Sequence, residues 1–382
     1  MIKRFLLRAK LQNAFKLVDL SHKFTKGKNQ FTRYPSIRIA EERQDYLYYV
    51  FYLPEGLNPN DLKKKEYVLS QAFGSAYELK GDGKKYSLKI FTSEPETCIS
   101  FDFDELQPFL NHRIPVLAGK DSLGEMHSFD MVDNPHLLIA GETGSGKSVT
   151  IRMILTSLIL TKRHTIDFYL ADMKRSEFHL FRYCQGVKAV MTKKDQLLSC
   201  LRFLRIELQQ RGDLLDGSEL EHIDKYNERF PENHRNYILL CIDEVALLKN
   251  DKELMDIVEE ISCIGRALGV FLILSMQRPD GKVLEGQLKN NLTVRYAFQH
   301  SDKINSDITL GRGTKEDASK LGRPGQFYLK NAHITAVQAP FLTVERAKEY
   351  LEPYKIRPHI DVKGEVVNED FAPMTMIGEE SE

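Results

Sequence analysis

The stretch PHLLIAGETGSGKS, residues 135–148, decides the fold of this chain of 382 residues. It joins an apolar run, HLLIA, to GETGSGKS, which matches the pattern G-x-x-x-x-G-K-S in full, and helical sequence follows to Leu160. Glycines in this setting let successive backbone N–H groups point at phosphate oxygens, and the start of a helix adds partial positive charge. The sequence therefore predicts a P-loop that binds ATP. Its predicted residues are Gly141, Glu142, Thr143, Gly144, Ser145, Gly146, Lys147, Ser148 and Val149.

Four side chains carry the chemistry expected of such a loop. Lys147 reaches the β- and γ-phosphates, and the hydroxyl of Ser148 is a ligand of Mg²⁺. Asp243 and Glu244 follow the apolar run YILLCI, at the carboxyl end of a strand, where open α/β sheets bind their ligands. An acid pair after a strand is also typical of a helix N-cap. Beside a complete P-loop we predict instead that Asp243 belongs to the Mg²⁺ shell and Glu244 activates the attacking water.

Two further residues are candidates for sensing the γ-phosphate and neutralising its charge. Gln277 ends the run VFLILSM, so its amide can contact the γ-phosphate or the attacking water from a neighbouring strand. Arg266 ends a helix predicted from about Glu253, where it either supplies a finger to the nucleotide of an adjacent subunit or favours the helix dipole.

Apolar runs alternate with helical segments downstream of Pro135. The runs are HLLIAG, IDFYLAD, YILLCIDE, VFLILSMQ, LTVRYAF and HITAVQA. Strands that are apolar on both faces belong to a sheet covered by helices on both faces, so we expect an α/β fold with a mostly parallel sheet. Upstream, residues 46–53 predict a strand, 61–73 a helix and 76–91 a hairpin, which together indicate a small α+β domain.

These patterns divide the chain into four predicted parts. They are a basic N-terminal segment (1–35), a small α+β domain (36–115), the P-loop domain (116–355) and an acidic tail (356–382) that we expect to be disordered. The N-terminal segment has apolar residues near helical spacing with basic residues between them. It fits a helix that lies on an anionic membrane or on DNA, and equally one that docks on a partner or on the small domain.

Charge, cysteine content and hydropathy restrict the classes of protein to which this chain could belong. Lys+Arg and Asp+Glu both number 54, so any DNA-binding surface must be local. The five cysteines form no CxxC pair and suggest neither a zinc site nor a disulfide framework. No apolar stretch reaches the ~20 residues that cross a bilayer, and the first residues lack the core of a signal peptide. We expect a cytoplasmic protein, whose association with the inner face of the membrane would depend on partners.

The motifs around the P-loop resemble those of the FtsK/SpoIIIE family of DNA-translocating motor ATPases. In order from roughly residue 121 to 329, the shared stretches are PHLLIAGETGSGKS, LADMKRSEF, ELQQR, LLCIDEVALL, GRALGVFLILSMQRP, LKNN and LGRPGQF. The order of strand, helix and hairpin in residues 46–91 is similar to the small domain that precedes the motor in that family.

The resemblance implies a RecA-like motor that forms a homo-oligomeric ring, hexameric in the family, around double-stranded DNA, with ATP and Mg²⁺ held between subunits. It gives Gln277 the role of sensor and Arg266 that of a finger acting in trans. The positions that correspond to DNA contacts of the family are Arg278, Lys289 and Arg295. A neutral chain can grip DNA this way, because ring closure repeats a few cations around the DNA backbone.

The sequence also departs from the family pattern. Members that segregate chromosomes carry membrane spans before the motor and a winged-helix module after it, and we expect neither here. Asp172-Met173-Lys174 replaces the usual Asp-Pro-Lys, so the fixed φ of proline is absent from that loop. The short form resembles motors of conjugative and integrative elements or phages of Gram-positive bacteria. That resemblance implies transport of element DNA toward a transfer channel, with relaxosome or channel proteins as partners.

Two other interpretations stay open at this point. Related P-loop domains drive protein export with the same nucleotide site, and an assembly or adaptor protein uses ATP only to oligomerise. Stimulation of ATP hydrolysis by DNA separates a DNA motor from an export ATPase. Substitution of Glu244 separates a motor from an adaptor, because only the motor depends on turnover.

Overall fold

A computed structural model of the protein describes residues 2–26, 29–43, 46–73, 77–91, 99–122, 124–279 and 286–356. They form two compact units, one from Met1–Glu96 with Ser122–Gly124 and one from Thr97–Asp121 with Glu125–Glu382. The predicted acidic tail lies outside the described residues beyond Ile356. Among the described helices, none combines the length and the apolar surface that a bilayer crossing demands.

The first unit is a small α+β structure with one antiparallel sheet of order β3-β4-β6-β5 and a separate two-stranded hairpin, β1-β2. Its helices are α1 (Ile2–Leu17), α2 (Pro59–Lys64) and α3 (Tyr67–Phe73). Its strands are β1 (His22–Lys26), β2 (Asn29–Arg33), β3 (Ser36–Glu42), β4 (Tyr46–Tyr52), β5 (Tyr77–Asp82) and β6 (Lys85–Phe91). Aromatic residues on β4 build the core, because Tyr49 and Phe51 are both fully buried there.

The basic N-terminal segment belongs to this first unit. Leu11, Ala14 and Phe15 of α1 lie in the same core as Tyr49, and the guanidinium of Arg8 donates to the carbonyl oxygen of Arg38 at 2.7 Å. The helix therefore docks on its own small domain, which is one of the interpretations that the sequence left open.

The boundary between the units falls after Glu96 and not after residue 115 as the sequence suggested. Phe101, Leu106 and Leu110 pack into the core of the second unit, together with Ile114. These apolar side chains fix the segment that precedes the large sheet as part of the P-loop unit.

The second unit contains the remaining elements. Its helices are α4 (Phe103–Leu106), α5 (Lys147–Lys162), α6 (Lys194–Ser218), α7 (Ile223–Arg229), α8 (Lys252–Leu268), α9 (Gly286–Asn291), α10 (Lys303–Leu310) and α11 (Val344–Leu351). Its strands are β7 (Ile99–Ser100), β8 (Pro115–Asp121), β9 (Met126–Asp130), β10 (Leu137–Ala140), β11 (Ile166–Asp172), β12 (Val187–Met191), β13 (Tyr237–Asp243), β14 (Val270–Met276), β15 (Val294–Phe298), β16 (Gln326–Lys330), β17 (Ile334–Gln338) and β18 (Pro340–Phe341).

Ten of these strands form one mixed sheet of order β12-β11-β13-β14-β10-β15-β16-β17-β8-β9. The half from β12 to β15 is parallel throughout, and every pair from β15 to β9 is antiparallel. The expectation of a mostly parallel sheet therefore holds for the half that carries the P-loop. Short connections such as the one from β16 to β17 produce the antiparallel half, since a hairpin reverses the chain without a crossover helix.

Strand β13 shows why the parallel half is apolar on both faces. Leu239 and Cys241 point into one core of the second unit, while Ile238, Leu240 and Ile242 point into the core on the opposite face. Both faces are covered, so polar side chains concentrate at the strand ends. The carboxyl ends of β10, β13 and β14 meet at one edge, because Ala140 is in register with Met276 and Ile242 with Leu274.

Candidate nucleotide-binding site

The P-loop connects β10 to α5, as the sequence predicts. Its backbone turns through glycines with positive φ, and Gly146, at φ 110°, immediately precedes the first residue of α5. A Cβ atom added at Gly146 would lie 2.5 Å from the backbone nitrogen of Gly325, so only glycine fits between the loop and that neighbour. The backbone N–H of Gly325 donates to the carbonyl oxygen of Ser145 at 2.8 Å, which ties the loop to the segment that contains Gly325.

Lys147 lies within the curve of the loop. Its ammonium group donates to the carbonyl oxygens of Gly141 and Glu142, the latter at 2.8 Å. Burial lowers the pKa of Lys147 to about 8, although the carboxylates of Glu244 and Asp243 act in the opposite direction. The cation is thus held beside two acids in a site that is short of water, which favours binding of a polyanion.

Asp243 and Glu244 end β13 at the same edge of the sheet. Both are buried, and burial raises the pKa of Asp243 while the ammonium group of Lys174 lowers it. The backbone of Glu244 has a φ of 63°, in the left-handed region, directly after the last residue of β13. One carboxylate oxygen of Glu244, Oε2, lies 2.7 Å from Nζ of Lys174, and the other accepts from the backbone N–H of Gln277 at 3.1 Å.

Gln277 connects the acid to the P-loop. Its backbone bonds to Glu244, and its side-chain amide donates to the hydroxyl of Thr143. The position directly after β14 therefore places one residue against both the acid that follows β13 and the P-loop.

A cavity of about 720 Å³ lies over these residues. Its walls include Lys147, Ser148, Asp243, Glu244 and Gln277, together with segments 324–325 and 338–341. A cavity of this size accommodates a nucleoside triphosphate. The P-loop glycines expose backbone N–H groups to it, and the lysine supplies a positive charge.

The oxygen donors present also fit a magnesium ion that arrives with the nucleotide. Ser148 offers a hydroxyl and Asp243 a carboxylate to the same cavity. In the described ranges no three His, Cys, Asp or Glu side chains come together in a way that could hold a metal. Mg²⁺ commonly takes one or two protein ligands and completes its shell with phosphate oxygens and water, so this sparse set suits it.

Sequence reasoning missed two parts of the site. Lys174 was noted only for its loop, yet it forms the ion pair with Glu244. The carboxylate of Asp172 holds that loop by accepting from the backbone N–H groups of three residues, which replaces the stiffness that a proline would give. The three donors are Ser176, Glu177 and Phe178. The second missed part is the wall formed by residues 338–341, for which no local motif exists.

Comparison with known proteins agrees with this architecture. Residues 109–281 match the profile of the FtsK/SpoIIIE family. Over this part of its length the chain is similar to that family. It is 32% identical over 254 residues to the DNA translocase FtsK of Borreliella burgdorferi, with 64% of this chain and 32% of that protein covered. For the DNA translocase FtsK of Staphylococcus epidermidis the identity is 31% over 253 residues, covering 62% of this chain and 32% of the relative. The chain thus spans about a third of the length of these relatives.

Solved structures show the same fold. The pCW3 conjugation coupling protein TcpA, determined with ATPγS, superposes with a TM-score of 0.63 at 24% identity, covering 91% of this chain and 99% of that one. The cytoplasmic domain of the type VII secretion ATPase EccC of Thermomonospora curvata gives a TM-score of 0.56 at 24% identity, covering 64% of this chain and 31% of that one. The fold of the second unit is therefore that of the P-loop ATPases.

Arg266 is not among the residues that line the nucleotide cavity. It occupies the last turn of α8, is exposed, and forms no ion pair with any residue in the described ranges. The helix ends at Gly269, whose φ of 73° closes the last turn. The structure thus leaves the guanidinium available to a second molecule and does not place it in the site of its own chain.

The three predicted DNA contacts have different environments. Arg278 is exposed directly after Gln277, and Lys289 on α9 is half-buried. Arg295 on β15 is only 8% exposed, and its guanidinium donates to the carbonyl oxygens of Leu292, Thr309 and Lys289. The prediction that Arg295 contacts DNA is therefore corrected, because all three of its nitrogens already serve the fold.

A cluster of cations nevertheless surrounds Lys289. Burial and the nearby Arg295 and Arg312 lower its pKa, and burial, Arg295 and Lys289 lower the pKa of Lys330. Like charges at this spacing repel one another, which makes the cluster receptive to an anion. Arg312 and Lys330 were not predicted from the sequence, because they lie on elements distant from α9 along the chain.

Proposed function

We propose that this protein is an ATP-driven DNA translocase that hydrolyses ATP between the subunits of a ring and moves double-stranded DNA. The observation that carries the proposal is the placement of Gln277 against both Glu244 and Thr143, beside Lys147 and Asp243, in a chain similar to the FtsK/SpoIIIE family. Relatives named DNA translocase FtsK support the substrate, and the fold shared with a conjugation coupling protein supports transfer of a conjugative or other mobile element as the setting.

The residues act on the triphosphate in distinct ways. Lys147 leaves the carbonyl oxygens of Gly141 and Glu142 and binds the β- and γ-phosphates. Ser148 and Asp243 would hold an Mg²⁺ ion, which would supply neutralising charge to the phosphates. Glu244, positioned by Lys174, orients the attacking water and accepts its proton.

Gln277 couples this chemistry to strand β14, and Arg266 couples it to the adjacent subunit. Gln277 exchanges its bond to Thr143 for one to the γ-phosphate, so the strand end of β14 responds to hydrolysis. Arg266 reaches the nucleotide of an adjacent subunit and stabilises the charge that develops in the transition state, a contribution typically worth about 10³ to 10⁵ in rate.

DNA binding is assigned to cations on the second unit. Arg278 directly follows Gln277, and the cluster of Lys289, Arg312 and Lys330 supplies further positive charge. Repeated around a ring, these few cations contact many phosphates of the duplex, although the whole chain is neutral.

ATP hydrolysis with and without duplex DNA tests the proposal. We expect linear duplex DNA to increase the turnover of the full chain severalfold, and the increase to shrink as salt rises, because contacts to DNA phosphates release counterions. Glu244→Gln should still bind ATP but lose hydrolysis by about 10² to 10⁴. Turnover that ignores every nucleic acid but responds to an exported protein would support the secretion ATPase instead.

Movement along DNA needs its own measurement. Displacement of a triplex-forming third strand from linear duplex, driven by ATP and absent with Glu244→Gln, is the expected result. If Glu244→Gln retained both oligomerisation and biological function, the protein would be an ATP-dependent adaptor and not a motor.

A further inference from the structure

The nucleotide cavity is lined by side chains of two chemical kinds. Lys147, Glu244 and Gln277, which are assigned to the γ-phosphate and the attacking water, are polar. Val149 on the first turn of α5, together with Ala339, Pro340 and Phe341, contributes apolar surface. A triphosphate held by the polar side chains leaves the apolar surface to its base, since the base is the least polar part of the ligand.

Phe341 differs from its neighbours in exposure. Ala339 and Leu342 are almost fully buried, but the ring of Phe341 is 49% exposed and borders the cavity. Among the described residues that border the cavity, Phe341 is the one aromatic side chain, so its ring offers a flat apolar face to a ligand there.

The backbone on either side of this ring is fixed. Strand β18 pairs with β7, and the carbonyl oxygen of Phe341 accepts from the backbone N–H of Phe101 at 3.1 Å. The carbonyl oxygen of Leu342 accepts from the buried guanidinium of Arg152 on α5 at 2.8 Å. Arg152 itself is paired with Glu177, at 2.6 Å. The ring is thus carried by a strand tied to the same helix that begins at the P-loop.

We propose that the ring of Phe341, with Pro340 beside it, is the stacking surface for the nucleobase. The inference rests on the proposed nucleotide site and names the part of the ligand that this wall recognises. Stacking on an aromatic face tolerates every base, because each base has a π-face. The nearby amide of Gln338 donates to the carbonyl oxygen of Pro324 at 3.0 Å, so one of its N–H groups is engaged within the chain. We therefore expect the wall to bind adenine and guanine nucleotides through the same contact.

The chain contains no tryptophan, which permits a direct optical test in the intact protein. Phe341→Trp introduces a single indole at the proposed surface. We expect ATP and GTP to quench its fluorescence saturably, and inorganic triphosphate, which has no base, to leave it unchanged. Phe5→Trp is the matched control, because Phe5 on α1 is 74% exposed and belongs to the first unit. Equal responses of the two indoles to ATP would overturn the proposal.

Phe341→Ala supplies a second measurement by calorimetry. Loss of the stacking surface should weaken ATP and GTP binding about tenfold and leave the affinity for inorganic triphosphate unchanged. Equal losses for all three ligands, or no loss for any, would contradict a base contact. A wild-type chain that binds none of them would overturn both this inference and the nucleotide site. A chain that shows the expected pattern but ignores DNA would retain the stacking surface and lose only the motor proposal.

Discussion

The ammonium group of Lys174 lies 2.7 Å from Oε2 of Glu244 and holds the acid that is proposed to activate water. Lys174 belongs to the loop after β11, whereas Glu244 follows β13, and the two parallel strands are in register so that Asp172 faces Asp243. The same cation lowers the pKa of Asp243, which burial raises. One exposed lysine thus acts on both carboxylates of the site.

Lys174→Met should therefore change the pH dependence of ATP hydrolysis. Without the cation, the pKa of Asp243 rises further, so the carboxylate is protonated at higher pH and the acid limb of kcat/KM moves upward. Glu244 also loses its positioning partner, and we expect kcat to fall by about 10- to 100-fold. The measurement is kcat/KM against pH.

Lys188→Met is the matched control for that change. Lys188 on β12 pairs with Asp167 on β11 at 3.6 Å, and it does not border the cavity. The dependence of kcat/KM on pH in Lys188→Met should match that of the wild type. An acid limb of Lys174→Met that superimposes on that of the wild type would show that Lys174 does not control the ionisation of Asp243.

ATP binding should take up protons at alkaline pH. The pKa of Lys147 is lowered to about 8, and a bound triphosphate raises it again because the anion favours the charged ammonium group. Above that value the free site is partly neutral, so affinity falls as pH increases. Calorimetry in two buffers of different ionisation enthalpy measures the uptake. Lys147→Arg should abolish it, since a guanidinium stays protonated; uptake that persists in this variant would assign the proton to another group.

Much of the site could be predicted because local sequence determines it. A glycine-rich loop between a strand and a helix, and acids at the end of an apolar strand, place Lys147, Asp243 and Gln277 at one sheet edge. Lys174 and Phe341 could not be found this way, since each meets the site through tertiary packing that leaves no local pattern.

The burial of Arg295 could have been predicted from its sequence context, although the family resemblance pointed to a DNA contact. This residue is the single charge in VRYAF, a strand that is buried throughout, so burial was the better expectation for it. The order of the strands after β15 in the sheet could not be predicted from local sequence either. It depends on the pairing of β8 with β17, two strands that are far apart in the chain.

Gly146→Ala should weaken ATP binding by distorting the loop. The new Cβ would lie 2.5 Å from the backbone nitrogen of Gly325, and neither backbone can yield without moving the P-loop. We expect the affinity for ATP to fall at least about tenfold, measured by calorimetry. Gly313→Ala is the control, because Gly313 has a similar positive φ of 83° but open space around it. Unchanged affinity in Gly146→Ala would mean that contact with Gly325 is not needed.

Substitutions of the neighbouring residues Arg295 and Lys289 should have different effects. The first should affect stability and the second DNA binding. Arg295→Leu removes the donor to three carbonyl oxygens, two of them at buried contacts, and should lower the free energy of unfolding by about 1–3 kcal/mol, seen as a lower Tm. Lys289→Ala should keep the wild-type Tm but weaken duplex binding and reduce the salt slope of binding by about 1. The paired measurements are thermal unfolding and salt-dependent DNA affinity. A lower Tm in Lys289→Ala, with DNA affinity retained, would reverse the assignment.

Arg266 should act on the nucleotide of another subunit, and mixing inactive variants tests this directly. Arg266→Ala and Lys147→Met each abolish hydrolysis alone, the first by removing the finger and the second by removing the phosphate contact. In a mixed ring, the intact P-loop of an Arg266→Ala subunit can meet the intact arginine of a Lys147→Met subunit. At equal amounts, about a quarter of the interfaces are then complete, and ATPase activity should return in that proportion. Mixtures that stay inactive while mixed oligomers form would show that Arg266 serves only its own chain, by favouring the dipole at the end of α8.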